Sequence, residues 1–514
     1  MRGLLLTLVF TGISSAERIN QEGRILGPQP AVAAPILFNT PQADAVVSAM
    51  QIMPLDSPWN EDVSRRPVLS NSDAMVSRIT SDLVTGVNAN RGFLWLFEEM
   101  NFALVPDNQP AQPVEFFQYP QQSDFDGGTS PFGSYPIPVN LPIETWPTGT
   151  GSMTLEQWQT SSVSGDRHSI IVMPGTGNLW ETWLTRRVGG NWRAANGAKF
   201  PLNNNSLRPA GWTSGDAAGL PMFPALVRYN EVQRGMVEHA MRVVVKKSRR
   251  EYIYPATHHA SVDNTTDPNV PAMGQRLRLK AGYVINPSWT IQEKAVLLGL
   301  KKYGAFVADN GNFFSISITP DDRYPEECFD HLRSLQISNF EVIQTTGPNE
   351  GPRSAGAPTA NAGPDLDVRA GSSVALNGAV SGSGTLVTQW KWNAGPAPVT
   401  FGNAAQAATT ASFTVPGRYT LLLSASNNVH TPAYDAMIVD VTIPVSLVRS
   451  GRDQIVGFPT ISGRHYRVER SGDLGAWLTL ADNITGTGSP AQVTHAGALD
   501  VPGEQQFYRV VFLD

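Results

Sequence analysis

Glycine and proline cut this sequence into short pieces, and that limits its fold more than any other feature. With 46 glycines and 39 prolines among 514 residues, long unbroken helices are excluded and short elements joined by turns are expected. Most of the apolar pattern between these breaks suits strands, so the predicted class is mainly β. The length suggests about three to five folding units. Charged residues make up only 16% of the chain, against a usual ~25%. Lys and Arg total 38 against 44 Asp and Glu, a formal charge of −6, so no basic field exists to attract nucleic acid or anionic lipid. Neutral partners fit better, and no nucleic-acid partner is expected.

The first residues, MRGLLLTLVFTGISSA, place Arg2 before an apolar run and end in the small residues Ser14 and Ala16. This order predicts a signal peptide over 1–16 and an exported protein: secreted, at the cell surface or in the periplasm. No later run reaches the ~18 apolar residues of a membrane span. The single cysteine, Cys328, forms no internal disulfide and is expected in a core. A leader over 17–34 is followed by a large β domain over 35–345 and a Pro/Gly/Ser-biased linker over 346–357. Two small β modules, 358–444 and 445–514, complete a chain expected to be a monomer.

In the first module, Val368, Val374, Leu376, Tyr419, Leu421 and Leu423 alternate at period two between glycine turns, predicting a sandwich of about seven strands. The segments ANAGPD at 360–365 and PGRYTLLLSASN at 416–427, with Trp390 or Trp392 on a strand, resemble the PKD family of immunoglobulin-like domains. That resemblance implies an extracellular spacer or glycan-contact role. VSGSG at 380–384 stands where the family carries aspartates. The last module, with Tyr466 and Tyr508 on matching strand patterns, is similar to small C-terminal β modules of exported bacterial proteins, which implies attachment or stability.

In the large domain, Thr290 and Glu293 form a capping box for a helix stopped by Gly304, and a second helix is expected from Glu231 to Gly235. Strands are predicted at 168–173, 179–184, 241–246 and 251–256, giving a β-sandwich or jelly-roll-like domain with peripheral helices. The segments GDRHSIIV at 165–172, LRPAGWTSGDAAGLP at 207–221 and LKKYGAFVADNG at 300–311 resemble an exported bacterial family to which no activity is attached. The chemistry must therefore be read from the residues.

Strand alternation would put Asp166 and His168 on one face about 6.5 Å apart, lining a cleft; alternatively Asp166 caps a turn and His168 is a satisfied interior histidine. Glu181 lies one hairpin turn later, beside Trp183, where desolvation would raise its pKa as a general acid requires. If Met173 pairs with Asn178, Glu181 shares the face of His168; if Met173 pairs with Leu179, it points away. The aperiodic loop 207–221 projects Arg208, Trp212 and Asp216. These form a sugar-contacting wall, or else a loop closed by its own Arg–Asp pair around Trp212. His258, next to His259, is a candidate base or substrate contact. Adjacent histidines on a strand point apart, so no metal is assigned, and no cofactor is called for.

Three functions follow. In a glycoside hydrolase, Glu181 is the acid and Asp166 or Asp216 the base or nucleophile, the carboxyl groups lying roughly 5–5.5 Å or 6.5–9.5 Å apart. In a polysaccharide lyase, His168 or His258 is the base, Tyr229 or Tyr254 the acid, and Arg208 neutralises a uronate. A non-catalytic glycan-binding or adhesin protein needs only an exposed Trp platform. The hydrolase is the leading expectation.

Overall fold

The computed structural model describes residues 17–85, 90–260, 265–500 and 505–513; the expected signal peptide lies outside them. These residues form two compact units, 18–357 with 429–431, and the rest from Pro358 onward. The protein is mainly β and multi-domain, and no helix among the described residues is long and apolar enough to cross a membrane.

The larger unit contains three main sheets. A five-stranded sheet runs in the order 36–37, 103–104, 169–173, 178–183 and 196–201, and a four-stranded sheet is formed by 132–135, 112–116, 191–194 and 186–188. Alternation in the strand Ser169–Met173 explains their packing. Ile170 and Val172 enter the main core, while Ile171 and Met173 enter a second core with Val114, Phe116 and Trp192 of the four-stranded sheet. A six-stranded sheet follows the order 340–342, 276–279, 305–310, 241–245, 314–318 and 94–98. Its pairings are mixed: 241–245 runs parallel to 305–310, and 314–318 parallel to 94–98.

Helix Ile291–Lys302 begins at the expected capping box, with the Thr290 hydroxyl accepting from the Glu293 N–H, and Gly304 follows it at φ 66°. The shorter helix spans Tyr229–Arg234 and stops at Gly235 in the left-handed region. Residues 251–256 do not form the predicted strand: only Tyr252 makes an isolated bridge, to Met273. Pro255 lacks the N–H that a ladder needs.

The stretch read as a leader ahead of the domain packs onto it. Asn20 and Gln21 are buried, and Asn20, Gln21 and Arg24 all bond Glu238. Glu22 meets Lys302 and the Tyr303 hydroxyl.

The second unit has two separate apolar cores. Residues 359–442 form an immunoglobulin-like β-sandwich, with strands 366–369, 433–442, 417–426 and 387–394 in one sheet and 373–377, 408–412 and 400–401 in another. Trp390 is the core tryptophan, whereas Trp392 is 40% exposed. The Tyr419 hydroxyl donates back to the Val415 carbonyl at 2.7 Å, the corner contact of such sandwiches. Residues 446–512 form two three-stranded sheets over Val456, Phe458, Tyr466 and Val468.

Candidate functional site

The hairpin register decides the site. Met173 pairs with Asn178, and Ile170 with Glu181, so Glu181 shares the face of Ile170 and Val172. It is fully buried, and its carboxyl group accepts the N–H groups of Met222 (2.8 Å) and Phe223 (2.9 Å), tying down the turn 222–225. Burial pushes it up to about 7 against these two bonds. The expected elevation is present, but inside the core rather than in a cleft.

His168 is equally enclosed. Its Nδ1 lies 2.8 Å from Glu144 Oε2 and its Nε2 2.9 Å from the Gly215 carbonyl. Both partners only accept, so both ring nitrogens must donate and the ring is an imidazolium. Burial opposes that charge, but Glu144 overrides it and lifts His168 to about 10. A doubly donating histidine cannot take a proton, which corrects its assignment as a base.

Asp166 and His168 do not share a strand face. Arg167 between them has φ 49° and the strand starts at Ser169, so alternation does not extend back to Asp166. Asp166 is exposed and accepts the Trp183 indole N–H at 3.3 Å. Trp183 in turn stacks on Tyr119 at 6.2 Å.

The loop 207–221 is closed, though not by its own Arg–Asp pair. Arg208 pairs with Asp124, bonds the Gln122 carbonyl at 2.7 Å, and packs over the rings of Phe200 and Trp212. Asp216 is held by the guanidinium of Arg242, with Nε at 2.8 Å from Oδ2. Arg242 also donates to Ser317 Oγ at 2.7 Å and lies 3.9 Å from Asp309. His258 is half-buried, with Nδ1 at 2.6 Å from the Ala217 carbonyl. Tyr254 faces Arg353, Tyr229 lies under Arg323, and His239 bonds Glu231.

Thus Glu181, His168 and Asp216 converge, Asp166 beside Trp183 lies near enough for its charge to raise His168 and Glu99, and Arg208 with Trp212 forms a separate group. The structure adds residues that the sequence reading missed: Glu144, Arg242, Asp309 and Glu99. Asp309 matters most, because its side chain keeps 26% of its exposure. Burial and the neighbouring Asp216 push it up to about 7. Backbone bonds draw His258 towards it, since the Ala218 carbonyl accepts from His258 and the Ala218 N–H donates to Ala308. Glu99 is half-buried and is likewise raised to about 7, by burial and by Glu144. An arginine inside the apolar strand MRVVV was the available signal, because a buried guanidinium demands a carboxylate partner.

Neither a family profile nor a curated protein matches this sequence. Among solved structures, the chain is similar to the PKD domain from KIAA 1837 protein, at 24% identity over 16% of this chain and 84% of that one, TM-score 0.15. It is also similar to titin domains z1z2 in complex with telethonin, at 16% identity over 31% and 91%, TM-score 0.15. Dpr2 Ig1-Ig2 in complex with DIP-Theta Ig1-Ig3 is similar at 14% identity over 34% and 67%, TM-score 0.16.

Proposed function

We propose that this is an exported carbohydrate-active protein whose large domain hydrolyses a polysaccharide, with the PKD-like sandwich and the C-terminal module as accessory parts. One observation carries the reading: Asp309 is a solvent-reachable carboxyl group held near 7 beside a fixed Asp216–Arg242 pair. Such a group is about half protonated at neutral pH and can give that proton to a leaving glycosidic oxygen. Glu99, the other half-open carboxyl group near 7, is the candidate to activate water. Glu181, Asp216 and His168 support this centre from inside.

Incubating the full chain with a polysaccharide panel and measuring reducing ends tests the reading. Asp309→Asn is expected to lower release by at least about 100-fold, while Glu181→Gln keeps most of it. The opposite result returns the acid role to Glu181. A second reading, glycan binding without turnover, is favoured by the internal bonds that occupy His168, Glu181, Asp216 and Arg208. Binding with no reducing ends released in any arm selects it. Products absorbing in the ultraviolet select a lyase, with His258 as its base.

A further inference from the structure

Arg242 stands beside two carboxyl groups and hydrogen-bonds only one of them. It lies on the strand Met241–Val245, where alternation turns Met241, Val243 and Val245 into the main core and sends Arg242 and Val244 to the other face. Val243 pairs with Val307, but the register then shifts and Val244 pairs with Asp309 instead of Ala308. Partners share a face, so this bulge puts Asp309 on the face of Arg242. In unbroken register Asp309 would stand opposite Val245 and share its core face. Ser315 pairs with Val244, which brings Ser317 to the side of Arg242 as well.

The guanidinium is divided unequally among these neighbours. Asp216 enters from the loop 207–221 and takes its side-on edge, with Nε 2.8 Å from Oδ2 and Nη2 bonded to Oδ1. Nη1 donates to Ser317 Oγ at 2.7 Å. Asp309 Oδ2 stays 3.9 Å from Nη2, beyond hydrogen-bond reach, while its Oδ1 accepts the Asn310 N–H at 2.7 Å. One buried cation neutralises one buried carboxylate. The Asp216–Arg242 pair is already neutral, so ionising Asp309 beside it adds a charge without a partner. The other groups around Asp309 leave this balance as it is. His168 is matched by Glu144, the strand Phe314–Ile318 offers the uncharged Ser315 and Ser317, and His258 keeps its Nδ1 on the Ala217 carbonyl.

We propose that Asp216 is a positioning residue for Asp309: by holding Arg242 side-on it denies Asp309 that cation, and so leaves Asp309 as the group that carries the proton. This deepens the hydrolase reading above and rests on it only for the use made of that proton. The arrangement can be switched by one change. With Asp216 made neutral, Arg242 keeps a buried charge and loses its carboxylate, and Asp309, on the same face at 3.9 Å, is the group placed to become its counter-ion. Asp309 would then be ionised at neutral pH and have no proton to give.

The test treats the full-length protein with a water-soluble carbodiimide and glycinamide, which label protonated carboxyl groups. Peptide mass spectrometry then follows Asp309 across the pH range, with the exposed Asp367 as reference. In the wild type, half-labelling is expected at about 7. Asp216→Asn should lower that midpoint by about 2 pH units or more, and Asp216→Glu, which restores the anion, should bring it back. A purely structural role for Asp216 would leave the midpoint in place. Chemical denaturation gives a second readout: Asp309→Asn should barely change the wild type but sharply weaken Asp216→Asn, where it removes the last carboxylate beside Arg242. If Asp216→Asn does not fold, the wild type and Ser317→Ala decide, since both should half-label near 7. A midpoint in the ordinary carboxyl range in either one overturns the proposal. So does an unmoved midpoint in folded Asp216→Asn, or additive losses in the double variant. Labelling as expected with no reducing ends released leaves this proposal standing and removes the hydrolase. Hydrolysis that needs Asp309, with a midpoint indifferent to Asp216, does the reverse.

Discussion

The interior of the large domain and the interior of the sandwich at 359–442 are built on opposite principles. The sandwich core is Trp390, Phe413, Tyr419, Leu421, Leu423 and Val439, and the sandwich's Arg418–Asp440 pair stands at the surface with side-chain exposures of 64% and 36%. The large domain instead buries Arg242 with Asp216, His168 with Glu144, and Arg228 with Glu231. Buried ion pairs stabilise little relative to apolar packing of the same volume, because desolvation offsets their attraction. A domain assembled for stability alone is better served by the sandwich's solution. The difference is the one expected if, as proposed, the large domain carries the chemistry and the sandwich supports it.

Mutations at matched positions should expose the contrast. Arg242→Met leaves Asp216 buried and unpaired, and chemical denaturation should register a loss of about 3–5 kcal/mol in the large domain. Trp390→Ala should cost about the same in the sandwich, about 3–5 kcal/mol, for the opposite reason, an empty apolar site. The two transitions should respond separately, and a shared loss would mean that the units unfold as one. Glu181→Leu removes the acceptor of the Met222 and Phe223 N–H groups, so a loss of about 1–3 kcal/mol is expected for each N–H left unpaired. Stability unchanged by Glu181→Leu would show that the turn 222–225 holds without it.

The pH dependence should also divide the molecule. His168 is raised above its unfolded value, so its contribution is complete below about 6.5 and is lost as pH rises through about 10. The raised carboxyl groups of Glu181, Glu99 and Asp309 act in the same direction over a lower range. Their protonated forms are favoured in the fold, and stability declines as pH climbs from the ordinary carboxyl range towards about 7. Thermal melts of the large domain should thus weaken steadily on the alkaline side, and His168→Gln should flatten the upper part of the slope. A slope unchanged in that variant would break the assignment of His168 as a cation. The smallest effects belong to the sandwich surface. Arg418→Met should change stability by about 0–1 kcal/mol and Trp392→Ala by less than about 0.5 kcal/mol.

Local patterns were legible in the sequence because their causes are local. The capping box at Thr290 and Glu293 needs only three residues of spacing, whereas the pairing of Met173 with Asn178 was one of two registers the sequence left open. The elevation of Glu181 was readable from its apolar strand. Three things were not. The left-handed conformation at Arg167 breaks the alternation that would have joined Asp166 to His168. Arg208 and Asp216 suggested a mutual pair by proximity, yet each found a partner far away in the chain, Asp124 and Arg242. Asp309 and Glu99 stand at strand ends where sequence shows only a polar residue. Their character comes from burial and then from Asp216 and Glu144, all of which only the fold supplies.

The stretch 18–26, closed on itself by an antiparallel bridge from Ile19 to Ile25, bears on biosynthesis. Its side chains are fastened to Glu238, Lys302 and Tyr303, all of which leave the ribosome well over two hundred residues later. The stretch made early is among the last to find its place, since contacts of such long sequence separation close late. Until then residues 18–26 lack the partners that fasten them. On the proposed export route, that is the interval in which a translocation channel would hold the segment beside a leader and a peptidase would reach the bond it cuts.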